Sequence, residues 1–106
     1  MPVTPITIVS DKKVNEACSR GDPEKTYAML QQSFVYDRNS TEPVFVHARR
    51  DTWVVLRSND EMRRKMIEAI VNTDACLADK PRSIYVLDPD SNMIGKATPE
   101  GGIEIM

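Results

Sequence analysis

Three observations predict an α+β fold for this chain. β-Branched runs recur along it, helical periodicity fills the stretches between several of them, and turn residues separate most of the elements. A length of 106 residues suits one domain built around one core. With 41% hydrophobic and 28% charged residues, the composition is that of a folded protein rather than a disordered one.

The first strand is expected at Ile6-Thr7-Ile8-Val9, β-branched throughout and introduced by Pro5. Asp11 supplies a cap for a helix in which Val14, Ala17 and Cys18 share a face, and Gly21 stops it. Asp22-Pro23-Glu24 restarts a helix: it places an acceptor at the cap, proline at the first helical position and an acid at the positive end of the dipole. Tyr27, Leu30 and Phe34, three and four residues apart, form the buried stripe of that helix.

Residues 37–43 read as a polar loop. Residues 44–50 and 52–57 are two β-prone runs meeting at Arg49-Arg50-Asp51, which predicts an antiparallel hairpin. Alternation puts Val44, Val46 and Ala48 on one face of the first strand and Phe45, His47 and Arg49 on the other. In the second strand it separates Trp53, Val55 and Arg57 from Thr52, Val54 and Leu56. Ser58 and Glu61 form a capping box that opens the clearest helix of the chain. Met62, Met66, Ala69, Ile70, Thr73 and Leu77 lie within one arc of it and are expected to be buried, with Arg63, Arg64 and Glu68 outside. Pro81 ends this region, and residues 83–87 form a strand. Asp88-Pro89-Asp90-Ser91 makes a turn and residues 93–97 return from it. Residues 98–102 turn again, leaving residues 103–106 as a last edge strand.

The resulting order is β-α-β-β-α-β with a C-terminal β-hairpin extension, that of a ferredoxin-like sandwich with helices on one face of an antiparallel sheet. The alternative is a less regular α+β arrangement in which the last three strands form their own meander. Both are scaffolds that host many activities, so function must be argued from side chains.

Several chemistries lack their residues. His47 is the only histidine, and the two cysteines, Cys18 and Cys76, are too far apart in sequence for a zinc motif. Both cysteines fall in helical apolar patterns and read as reduced core residues. No glycine-rich phosphate loop and no nucleophile elbow is present. No enzyme activity and no cofactor are therefore expected. Asp88, Asp90 and Asn92 begin a calcium-loop pattern, but Met93 stands where the loop needs glycine and Pro99 where it needs a bidentate glutamate. The plain turn is the better reading. Residues 1–10 have no basic start and no long apolar stretch, and no apolar run approaches a membrane span, so no membrane association and a cytoplasmic location are expected.

Two features point to binding. Between His47 and Lys65 the chain carries Arg49, Arg50, Arg57, Arg63, Arg64 and Lys65 against Asp51, Asp60 and Glu61, with Trp53, the only tryptophan, inside. An exposed face with Trp53 and Arg57 would seat an acidic partner or stack on a base, whereas a lone tryptophan in a domain with few aromatics is more often a core residue. From residue 83 onward the sign reverses, with Asp88, Asp90, Glu100 and Glu104 against Lys96. The final strand, with Ile103 and Ile105, would offer an edge for pairing with another chain.

The leading expectation is a small protein-interaction module, an adaptor, inhibitor or regulatory subunit acting as a homodimer. A nucleic-acid-binding role for the basic stretch is the alternative, set against a net charge of −2. A ligand sensor or minor enzyme with a pocket near His47 and Arg49 is the third.

Overall fold

The computed structural model describes residues 3–4 and 21–106. The strand expected at residues 6–9, the helix expected from Asp11, and Cys18 lie outside the described residues. The α+β class is as predicted: helices and a mixed sheet share one core. Among the described residues, no helix is long and apolar enough to cross a membrane.

The elements are β1 (Val3–Thr4), α1 (Pro23–Ser33), β2 (Phe34–Val35), β3 (Val44–Ala48), α2 (Arg50–Leu56), α3 (Asp60–Ala78), β4 (Ile84–Leu87), β5 (Met93–Thr98) and β6 (Gly102–Ile105). Among the described residues, the strands form one six-stranded sheet in the order β1-β6-β5-β4-β3-β2. Only β3 and β4 run parallel among the described residues, and every other neighbouring pair is antiparallel. The ferredoxin-like order is not confirmed, while the consecutive antiparallel pairing of β4, β5 and β6 is the meander of the alternative arrangement.

α1 starts as its sequence requires, with the Asp22 side chain accepting from the Lys25 amide at 3.1 Å and proline in the first turn. The helix stops one residue earlier than the periodicity suggests. Phe34, fully buried, is the first residue of β2 and not the last of the helical stripe, and its N–H still bonds to the Leu30 carbonyl.

Residues 52–57 are not a strand. Residues 52–56 belong to α2 and Arg57 is its C-cap; the backbone is closed by the Trp53 N–H to the Arg49 carbonyl and the Arg57 N–H to the Trp53 carbonyl, both at 2.9 Å. The β propensity of Trp53, Val54 and Val55 yields to tertiary placement. Leu56, three residues after Trp53, is buried and Trp53 packs against the core, whereas Val54 and Val55 are each 54% exposed. β3 therefore has no hairpin partner after it; α2 and α3 carry the chain to β4, which lies parallel to β3.

The helix predicted from Ser58 exists, with its cap one residue later: the Asn59 side chain accepts from the Met62 amide at 3.0 Å. Its buried face is rotated from the predicted arc by about one residue's turn, roughly 100°. Arg63, Ile67, Ile70, Val71, Thr73, Asp74 and Ala75 are buried, while Met62 is exposed and Met66, Ala69 and Leu77 are half-buried. Arg63 was expected outside. Its guanidinium instead donates to the Leu56 carbonyl at 2.9 Å and to Asp60, closing the C-terminus of α2 against the first turn of α3. α3 ends at Asp79 in the left-handed region, φ 60°, with the Lys80 N–H returning to the Ala75 carbonyl.

α3 lies close on the sheet. A Cβ at Gly95 would sit 2.5 Å from Ile67 Cδ1, so the absent side chain at this strand position admits the helix. Cys76, half-buried on α3, is disulfide-bonded. The expectation of two reduced cysteines does not hold for it.

Candidate functional site

Alternation divides the sheet into two unlike faces. Val44, Val46, Ala48, Ile84, Val86, Ala97, Ile103 and Ile105 are buried in the core that also takes up Leu30, Ile67, Ile70, Val71 and Ala75 of the helices. The intervening residues point the other way, and the strand registers set them out as a grid. One row crosses four strands as Glu104, Lys96, Tyr85 and Phe45, neighbours in register from β6 to β3. The next row is Met93, Leu87, His47 and Val35, from β5 to β2.

Part of the exposed apolar surface lies on this face. Val35 is 55% exposed, Phe45 53% and Met93 40%, and these are three of the eight large hydrophobic residues exposed among the described residues. Phe45 and Tyr85 stack across β3 and β4 with ring centroids 5.5 Å apart and planes at 28°. Beside them, Lys96 Nζ lies 3.4 Å from a Glu104 carboxylate oxygen. At the carboxyl end of β3, Arg50 lies 3.9 Å from Asp90.

The residues singled out in the sequence do not converge on one patch. Arg49 caps α2 and turns its guanidinium to the Gln31 carbonyl, with Nε at 3.1 Å and Nη2 at 3.0 Å. Trp53 packs against the core, so it is not a free stacking platform. Arg63 is buried, as described, and Arg57 and Arg64 are exposed on α2's C-cap and on α3. Ile103 and Ile105 are core residues, and β6 is no edge: it lies between β5 and β1, with Ile103 opposite Thr4 and Glu104 opposite Val3. The sequence reading missed Tyr85, Leu87 and Met93. The alternation that set Phe45 and His47 apart from Val44 and Val46 was the available signal, and extending it to β4 and β5 would have found them.

Local bonds occupy part of the β2 edge. The Arg49 N–H bonds to the Ser33 carbonyl, and antiparallel pairing alternates, so Phe34 turns its backbone groups away from β3. There the Phe34 N–H is taken by Leu30, and the Tyr36 carbonyl accepts from Gln31 Nε2 at 3.2 Å and from the Tyr27 hydroxyl.

Two polar clusters are structural. Asp74, wholly buried on α3, accepts from the Tyr36 hydroxyl at 2.6 Å and from Arg82 Nε and Nη2 at 2.8 and 2.6 Å. Arg82 also donates to the carbonyls of Ser40 and Arg38, so it fixes the loop between β2 and β3 to α3. Burial, then the bond to Asp74, pushes the Tyr36 phenol well up, and the same carboxylate raises Arg82. At the turn after β4, Asp88 accepts from the amides of Asp90 and Asn92 and from the Asn92 side chain, the Asx-turn role its position suggested. Desolvation raises the Asp88 carboxyl, but the Asn92 and Asp90 donors outweigh it and hold it below the usual carboxylate range.

A shallow groove of about 280 Å³ also opens between α2 and α3, lined in part by Val55, Met62 and Met66. No known family, curated protein or solved structure matches this chain.

Proposed function

We propose that the protein is a small protein-interaction module that acts by covering a partner's surface rather than by transforming a substrate. The docking surface is the open face of the sheet. One observation carries the reading: two aromatic rings stack at the centre of that face, with Val35 and Met93 exposed beside them. Exposed apolar surface of this kind is costly to leave in water and marks sites of association. Aromatic and methionine side chains are also those enriched where proteins meet.

The charge layout favours a protein over a nucleic acid. A platform for bases needs cations for the phosphates. Here Lys96 is held by Glu104, Arg50 faces Asp90, and the basic stretch of the sequence is spread over α2 and α3. Each stacked ring, moreover, already turns a face to the other.

A photo-crosslinking side chain placed at position 45, compared with one at the exposed position 64, tests this in native lysate. Covalent capture of protein from position 45 and little from position 64 is the expected result. Capture of nucleic acid, or equal capture from both positions, contradicts it.

A further inference from the structure

We propose that the groove between α2 and α3 is a second docking site, one that takes an amphipathic helix carrying a basic residue beside its apolar face. The groove is lined by apolar side chains from both helices, Val55 and Leu56 of α2 and Met62 and Met66 of α3. Leu56 is buried beneath it, whereas Val55 and Met62 are exposed. At the α1 end, where Ser33 joins the lining, Met29 stands one turn earlier on the same face of α1 and is also exposed. Past Met62 the groove continues into a second hollow of about 170 Å³, lined by Asn59, Glu61 and Lys65. A shallow trough running through two hollows suits a helical segment better than a compact small molecule, which needs an enclosing cleft. Thioether side chains adapt their shape to whatever side chains are laid on them.

The charge of the partner follows from Asp51, the only charged residue lining the larger hollow. Asp51 is exposed, and among the described residues it makes no ion pair and no side-chain hydrogen bond. The cations next to it in sequence are directed elsewhere: Arg49 donates to the Gln31 carbonyl and Arg50 lies against Asp90. In the adjoining hollow, Glu61 and Lys65 neutralise one another at 3.3 Å. An apolar trough with one uncompensated carboxylate at its rim is complementary to a helix whose apolar residues enter among Val55, Met62 and Met66 and whose lysine or arginine reaches Asp51. The groove lies in the helical layer, across the core from the open sheet face, so each surface can be occupied without the other.

Titration of the full chain with an amphipathic helical peptide of leucine and lysine, followed by NMR of the methionine methyl groups, tests the proposal. A leucine–glutamate peptide is the probe of opposite charge, and thermal unfolding checks that each variant is folded. The Met62 and Met66 methyls are expected to shift while Met93 of the sheet face stays unmoved, and the lysine peptide should bind the tighter of the two. Asp51→Lys should weaken the lysine peptide by about fivefold and remove its advantage, as the loss and reversal of one exposed ion pair would. Glu100→Lys, the same change of charge in the turn between β5 and β6, should leave the preference in place. Shifts at Met93 in place of Met62 and Met66, or no shift at all, overturn the proposal. Equal binding of the two peptides, a preference that survives Asp51→Lys, or one lost equally in Glu100→Lys does the same. Capture at position 45 tests the sheet face separately, so either site can fail alone.

Discussion

Asp74 shows how much of this structure depends on a few polar side chains. Its carboxylate is wholly buried between the Tyr36 hydroxyl and the Arg82 guanidinium, and Arg82 reaches on to two loop carbonyls. A buried ion pair adds little over an apolar replacement, but removing one partner strands the other. Asp74→Ala should therefore cost about 3–5 kcal/mol, and Arg82→Ala a comparable amount. The double variant should lose far less than the sum, since each single change already breaks the same network. Urea unfolding of the three variants measures this, and additive losses would show that the pair is not one unit. None of this was legible in the sequence. Tyr36 and Asp74 are 38 residues apart, and neither spacing nor composition marks an aspartate on a helix as buried. Asp22 at the start of α1 and Asp88 in the last turn but one were legible, because their partners lie within four residues.

At the scale of elements, the legible parts were those whose signals are local. The cap and proline of α1, the alternation of β3 and the turn between β4 and β5 stand where the sequence placed them. α2 was misread because Trp53, Val54 and Val55 favour strands, and only the βαβ crossover from β3 to β4 makes them helical. α3 was found, but its phase was set by Met62 and Met66, two side chains flexible enough to sit at a groove instead of in the core. The buried arc runs instead through Ile67, Ile70 and Val71, with Arg63 drawn in because the α2 carbonyls need a donor. Ile67→Ala should cost about 2–5 kcal/mol as a core cavity, while Met62→Ala should stay within about 0.5 kcal/mol of the wild type. Equal unfolding midpoints for the two variants would return α3 to the phase its methionines suggested.

For the whole molecule, the sequence led to an expected binding role through two features that the fold rearranges. It pointed to a basic stretch that the fold disperses and to a terminal strand that the fold places between two others. The face that remains open became visible only when the register brought Phe45 of β3 beside Tyr85 of β4, 40 positions later in the chain. Long-range pairing of this kind is not encoded in local periodicity. The proposed role requires that these aromatics serve association and not folding. Phe45→Asp tests it most directly, with urea unfolding and recovery of bound protein from native lysate measured on the same preparation. Phe45 is 53% exposed, so the account predicts a stability within about 1 kcal/mol of the wild type together with loss of the bound protein. A fall in stability as large as that of a core cavity, with bound protein retained, would contradict it.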